Sequence, residues 1–374
     1  HILFSQDNIN YRELMIESGE KQVKITPEEY TTSTNDYLSF KRTKAWNSRV
    51  SSTTTFTNTK DLDITGIGGR VRATLADKTN NIYLVAPSGG GLWRFAPDGS
   101  SFTPIDDFGS FLAITSINQN PFNPQHIIIG TGDEEHGIEG NGAFISTDGG
   151  TTFSQISSTN PSVESYFEYI RYVKYSPEVE NTIYIAADDK LYKSTNSGTS
   201  WTMVFDASGD IKSLDFTEGT GVILAVYRKG VYSSSAGDAN TFTLHETGIR
   251  SGLFVGKGIT LATHAADRDI VYVYMTDGTP PSRYLYKSTD GGVSWAEERK
   301  PTLTSGFADF ALTIGVHPTD PNKLIIGNVR WAYSTDGGEE WTFGAGLEVD
   351  FHSVHFRHVD IGNHCIRLQL AKAL

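Results

Sequence analysis

Along this 374-residue chain, apolar and polar positions alternate in short runs and not at helical spacing. Runs rich in β-branched and aromatic residues stand at 81–87 (NIYLVAP), 126–132 (HIIIGTG), 182–188 (TIYIAAD), 221–227 (GVILAVY), 270–276 (IVYVYMT) and 323–329 (KLIIGNV). Each has strand length and is bounded by Gly, Pro, Asn, Asp or Ser, which is the pattern of a buried strand. A short loop, a second strand and a tight polar turn follow each run. Before most of them lies another strand with its own polar turn, as in ALTIGVHPTDPN (311–322). Four short strands per unit, with turn signals every 8–12 residues, predict an all-β fold of propeller blades.

The tight turn repeats. STDGGTTF (146–153) recurs as STNSGTSW (194–201), STDGGVSW (288–295) and STDGGEEW (334–341). From Asp148 to Asn196 is 48 residues, from Asn196 to Asp290 is 94, and from Asp290 to Asp336 is 46. The double step predicts a hidden copy, and SSSAGDANTF (233–242) supplies a degraded one; FAPDGSSF (95–102) is another, one period before Asp148. Six copies at this period match blade-sized units. The pattern Ser-Thr-Asp/Asn-x-Gly-x-x-Trp/Phe has a local explanation. The acid or amide accepts hydrogen bonds from backbone N–H groups two residues on, the glycine supplies positive φ, and the closing aromatic packs on the neighbouring blade. Asp148, Asn196, Asp290 and Asp336 are therefore expected to be structural.

This turn resembles the Asp box, or bacterial neuraminidase repeat, of sialidases, sortilin-type receptors, xyloglucanase-type glycosidases and photosystem assembly factors. With YLSFKRTKAWNSRV, GIGGRVRA, GGGLWRF and GTGD, residues 37–356 resemble secreted bacterial propellers of glycosyl-hydrolase-like or sortilin-like type. The resemblance implies an Asp-box β-propeller of four-stranded blades, six clear repeats plus a partial seventh, and places the box away from the ligand face. It does not carry over enzyme residues. The Arg-Ile-Pro motif of sialidases is absent, and GGGLWRFAPDG (89–99) lacks the leading acid of the matching xyloglucanase-type segment.

The ends depart from the repeat. Residues 1–60 read as an N-terminal extension, with an amphipathic helix at 8–20 (NINYRELMIESGE), strands at 45–50 and 53–59, and a role in closing the ring. Residues 61–374 form the propeller, whose first inner strand is expected at 66–77. EVDFHSVHF (348–356) reads as the first strand of a seventh blade, and from about 357 the pattern fails. A truncated or frame-altered gene explains that tail; completion of the seventh blade by N-terminal strands is the alternative. The family group has a His-Val-Asp-x-His motif where this chain has Glu348 and keeps Asp350 and His352. Starting at His1, the chain reads as a mature or excised piece.

Composition narrows the partners. A net charge of −13 disfavours nucleic acid. No run reaches the roughly 18–20 apolar residues of a membrane span. One cysteine, Cys365, allows no intrachain disulfide. A bacterial secreted, extracellular or periplasmic monomer is expected, with a glycan or a protein or peptide as ligand.

Propeller topology points to the loops between second and third strands as ligand loops. In blade two that loop, DEEHGIEGNG (133–142), is long and acidic. Catalytic candidates are Asp133, Glu134, Glu135, Asp309 and Asp350, since paired carboxylates suit glycoside hydrolysis. Ligand-binding candidates are Arg70, Arg72, His136, Glu164, Arg250 and His352. Asp133, Asp350 and His352 are candidate ligands of a divalent cation such as Ca²⁺, which would activate water for ester or phosphoester hydrolysis; no cofactor is required. Exposed aromatics would mark a binding face, with Trp46, Trp93, Trp331, Tyr166, Tyr169 and Tyr172 as candidates. The main expectation is a propeller binding a glycan or protein ligand on its channel face. The alternative is a hydrolase, foremost a glycosidase using 133–135 with Asp350 or Asp309.

Overall fold

The computed structural model describes residues 16–18 and 21–23, and residues 71–343 except 88–89, 99–100, 106–112, 135–136, 251–257, 277–282, 300, 302–311 and 328–330. The chain divides into two units, His1–Thr55 and Phe56–Leu374.

In the first unit, strands β1 (Ile16–Ser18) and β2 (Lys21–Val23) pair antiparallel, Ile16 opposite Val23. The end of the segment read as a helix is therefore a strand. Branched Ile16 and Val23 favour extended backbone. The predicted strands at 45–50 and 53–59 lie outside the described residues.

The second unit is a β-propeller with six four-stranded antiparallel blades among the described residues. Blade 1 is β3 (Val71–Asp77), β4 (Ile82–Pro87), β5 (Leu92–Phe95) and β6 (Phe102–Ile105). Blade 2 is β7 (Ile114–Gln119), β8 (Ile127–Thr131), β9 (Ala143–Ser146) and β10 (Ser154–Gln155). Blade 3 is β11 (Ile170–Tyr175), β12 (Ile183–Ala187), β13 (Lys190–Ser194) and β14 (Thr202–Asp206). Blade 4 is β15 (Ile211–Phe216), β16 (Val222–Val226), β17 (Gly230–Ser234) and β18 (Thr243–His245). Blade 5 is β19 (Gly258–His264), β20 (Asp267–Thr276), β21 (Arg283–Ser288) and β22 (Ala296–Arg299). Blade 6 is β23 (Thr313–Val316), β24 (Leu324–Gly327), β25 (Trp331–Ser334) and β26 (Thr342–Phe343). The six apolar runs read from the sequence are the second strands. The expected seventh blade at 348–356 lies outside the described residues.

First strands of consecutive blades adjoin, from β3 beside β7 through to β19 beside β23. Polar side chains stitch them: Ser116 Oγ accepts from the Val173 N–H at 3.1 Å, and Asn118 Oδ1 from Tyr175 at 2.9 Å. Apolar side chains fill the space between blades. Leu84 and Leu92 of blade 1 meet Ile127 and Phe144 of blade 2, and Ile223 and Val231 of blade 4 meet Leu261 and Val273 of blade 5.

The repeated turn joins third to fourth strands, and each full copy is built alike. Ser146, at the buried end of β9, accepts the Gly150 N–H on its Oγ at 2.8 Å. Asp148 Oδ1 accepts the N–H groups of Thr151 and Thr152, both at 2.9 Å. Ser288 and Asp290 bond Gly292, Val293 and Ser294 in the same way, as Ser334 and Asp336 bond Gly338, Glu339 and Glu340. The acid thus reaches three and four residues on, not two, because Ser Oγ occupies the nearer geometry. The second glycine is required twice over. Gly292 has φ +85, and a methyl there would stand 2.3 Å from Ile223 of the preceding blade. The closing aromatics fill the same seam, Trp295 buried beside Ile223 and Trp201 packed with the Ile156 and Phe167 cluster. Even the degraded copy keeps the serine bond, Gly237 N–H to Ser234 Oγ at 2.8 Å.

Candidate functional site

Because the strands alternate in direction, loops joining second to third strands share one face with the segments leading into the next first strand. The repeated turns lie on the opposite face. The long loop of blade 2, between β8 and β9, therefore meets the segments that enter β11 and β15.

Its base is pinned by glycines. Gly132 has φ +101, and a methyl there would come 1.9 Å from the Glu168 carbonyl oxygen. The Gly140 N–H donates to that oxygen at 2.9 Å. Asp133 and Ile138 exchange two backbone hydrogen bonds, of 2.8 and 2.9 Å, closing a small hairpin. Asp133 itself is buried, its Oδ1 2.6 Å from Nη2 of buried Arg72. These two residues, expected to meet a ligand, meet each other.

Register shifts interrupt the first strands of blades 1 to 4 at equivalent points, between Val71 and Ala73, Ile114 and Ser116, Ile170 and Tyr172, and Ile211 and Ser213. A bulge re-aims the extra side chain. The four extra residues are Arg72, Thr115, Arg171 and Lys212. Arg171 bonds Glu134 Oε2 and lies 3.2 Å from Asp210 Oδ2, and Lys212 Nζ lies 3.1 Å from the same Asp210 oxygen. Glu134, Asp188 and Asp210 each offer a carboxylate oxygen, all within 4.8 Å of one another. Alternating charges thus run across four blades: Arg72, Asp133 and Glu134, Arg171, Asp210, Lys212.

The three carboxylates differ. Burial pushes Glu134 above the usual carboxylate range, aided by Asp188 and Asp210 and opposed by Arg171 and Lys212. Burial and Asp189 likewise raise Asp188, against Arg171. Burial acts upward on Asp210 too, but Arg171 and hydrogen-bonded Lys212 outweigh it and hold the acid below its ordinary value. As a cation site the trio offers the hard oxygens that Ca²⁺ prefers. Arg171 and Lys212, however, already neutralise two of them, so the fit is poor.

Two tyrosines, Tyr169 and Tyr227, border the trio, and Tyr166 lies on the Lys190 side of blade 3. The Asp188 N–H donates to the Tyr169 carbonyl at 3.2 Å, and the Tyr227 N–H to the Asp210 carbonyl at 2.8 Å. Lys212 lies 5.5 Å from the Tyr227 ring centre. Exposed Tyr166 has Lys190 over its ring at 5.1 Å. Trp93 is buried, with Nε1 donating to the Gly90 carbonyl at 2.9 Å, and Tyr172 is buried too, so neither presents a binding platform.

Of the other expected residues, Glu164 precedes a 3₁₀ turn (Ser165–Glu168) on this face, and Arg250 stacks over Tyr284 at 5.0 Å, in the seam of blades 4 and 5. Arg70, Glu135, His136, Asp309, Asp350, His352 and Trp46 lie outside the described residues. Sequence reasoning missed Arg171, Asp188, Asp210 and Lys212. Aligning the blades on their first strands would have matched Arg72 with Arg171 and Lys212.

No protein-family model matches the chain, and no curated protein does. Solved structures do. A GH74 enzyme of Niastella koreensis is 21% identical with a TM-score of 0.56, over 74% of this chain and 45% of that one. The GH74 xyloglucanase of Xanthomonas campestris is 17% identical with a TM-score of 0.54, over 74% and 45%. YCF48 bound to a D1 peptide is 15% identical with a TM-score of 0.52, over 74% and 82%. The chain spans less than half the length of these GH74 structures. At such identities the likeness establishes the propeller fold alone. Among the described residues no helix is long and apolar enough to cross a membrane.

Proposed function

We propose that this chain is a secreted, monomeric Asp-box propeller that binds a glycan on its channel face. One observation carries the reading: Glu134, Asp188 and Asp210 converge from three blades, with Tyr169 bonded through its backbone to Asp188 and Tyr227 to Asp210. Carboxylates accept hydrogen bonds from sugar hydroxyls, and tyrosine rings cover the apolar C–H faces of pyranose rings. The structural neighbours include both a xyloglucanase and a propeller bound to a peptide, so a peptide is the rival ligand. The test is titration calorimetry with neutral β-glucan and xyloglucan oligosaccharides and with unrelated peptides. Saturable oligosaccharide binding, weakened at least tenfold by Tyr227→Ala or Asp210→Asn, supports the reading. Binding of peptides alone overturns it.

The second reading is a glycoside hydrolase. It rests on the divergence of the carboxylates, Glu134 and Asp188 raised and Asp210 lowered, which is how an acid and a base are told apart. Against it, Arg171 bridges Glu134 and Asp210, filling the gap a glycosidic oxygen and a water would need. Turnover of the same oligosaccharides, abolished by Asp210→Asn, would decide for the enzyme.

A further inference from the structure

We propose that the cavity beside the degraded turn of blade 1 is a second ligand site, on the face away from the carboxylate trio, and that it takes a hexuronate, a sugar ring bearing one carboxylate. The cavity has a volume of about 430 Å³, within the roughly 300–1,000 Å³ of small-ligand sites. Ile82, Arg94 and Thr103 line it from the strands of blade 1, and Pro97, Asp98 and Ser101 line it from the turn. It shares no residue with the channel face, so it stands or falls apart from the glycan reading of that face.

Arg94 carries the argument. From β5 its Nη2 reaches the turn of the next blade, donating to the Thr151 hydroxyl at 3.1 Å and to the Gly149 carbonyl at 3.4 Å. Both acceptors are neutral. Nε is buried with no partner among the described residues, and Nη1 is neither bonded to them nor buried. No carboxylate among the described residues pairs with this guanidinium. Blade 3 shows what a cation does in such a place when an acid is in reach. Lys193, also on a third strand, donates to the Ala236 carbonyl in the next blade's turn at 3.1 Å, and Asp238 completes an ion pair at 2.7 Å. The turn facing Arg94 supplies no such acid, because Asp148 is taken up by Ser146, Thr151 and Thr152.

A half-buried guanidinium without a counter-ion favours an incoming anion, and a planar carboxylate matches its fork. Asp98 narrows the choice. Its carboxylate accepts a hydroxyl but repels a second negative charge, which disfavours phosphate. Ser101 and Thr103 add hydroxyls for further sugar oxygens, while Ile82 and Pro97 give the ring carbons an apolar wall. One carboxylate, several hydroxyls and an apolar ring edge together describe a hexuronate.

The test is saturation-transfer NMR with galacturonate, glucose and inorganic phosphate, with the Arg94 Nε–H resonance followed to locate binding. Galacturonate should bind saturably and shift that resonance, with glucose and phosphate at least tenfold weaker. Arg94→Met should weaken galacturonate at least tenfold. Should that variant not fold, Arg94→Gln, which keeps a donor toward Thr151, should show the same loss. Neutral oligosaccharides titrated into the same variant report on the channel face, so failure of one site is told apart from failure of the other. The proposal is overturned if galacturonate does not bind the folded native chain, binds no better than glucose or phosphate, leaves the Arg94 resonance unmoved, or keeps its affinity in a folded Arg94 variant.

Discussion

The Arg171 guanidinium, at the bulge of β11, stands 3.2 Å from the Asp210 carboxylate at the start of blade 4. Asp210 also holds Lys212 at 3.1 Å, and Arg171 also holds Glu134, so one cation stabilises acids from two neighbouring blades. Arg171→Met should therefore raise the titration of Glu134, Asp188 and Asp210 together, since Arg171 lowers each of them. Taking this cation away from the acids should cost about 1–3 kcal/mol. Carboxyl NMR and urea unfolding measure the two effects.

The Asp148 turn makes stability depend on acid. Burial acts upward on this carboxyl, but hydrogen bonds from Thr152, Ser146 and Thr151 together outweigh it and bring it down to about 2 from 3.8. A depressed folded value means the contribution is complete above the ordinary range and is lost as pH falls from about 4 toward 2. Asp290 and Asp336 are lowered as well, and their losses should add. Melting temperature followed from pH 5 to pH 2 should drop less steeply in Asp148→Asn than in the native chain. Asn196, which keeps the geometry without a charge, shows that the amide fits the turn: its Oδ1 accepts from Ser200 at 2.9 Å.

Gly132 and Gly292 should tolerate no side chain. Gly132→Ala would set a methyl against the Glu168 carbonyl at positive φ, and Gly292→Ala would press Ile223. Each should destabilise the fold by roughly 1–3 kcal/mol or more. The two should differ in ligand affinity: Gly132→Ala should weaken oligosaccharide binding by moving the blade 2 loop, whereas Gly292→Ala, on the far face, should leave it intact in folded protein.

The Tyr175 hydroxyl is buried with no hydrogen-bond partner among the described residues, in the seam with Ile128 and Ile183. An unpaired buried hydroxyl costs free energy that its ring does not need. Tyr175→Phe should be neutral or stabilising by up to about 1 kcal/mol. A clear loss of stability in urea unfolding would show that this hydroxyl has a partner in solution.

The blade period, the second strands and the repeated turns were legible from the chain because the interactions that make them are local. Asp148 bonds residues three and four positions on, and Ser146 bonds one four positions on, so eight consecutive residues specify the turn. The aromatic at its end could be assigned to a seam because a large apolar side chain beside a polar turn has nowhere else to go. The candidate ligand face was legible only as a direction: the long loop of blade 2 was found, but not which of its acids faces the carboxylate trio. Asp133 and Glu134 are neighbours with the same charge, and the alternation of a strand end sends one to Arg72 and the other to Arg171. Asp188, Asp210, Arg171 and Lys212 carry no common motif; bulges in β11 and β15 aim Arg171 and Lys212, and these meet Asp188 from the turn after β12 and Asp210 from the entry to β15. Charge pairing falls off over a few ångströms, so it depends on positions set by the packing of whole blades, which spacing along the chain does not encode.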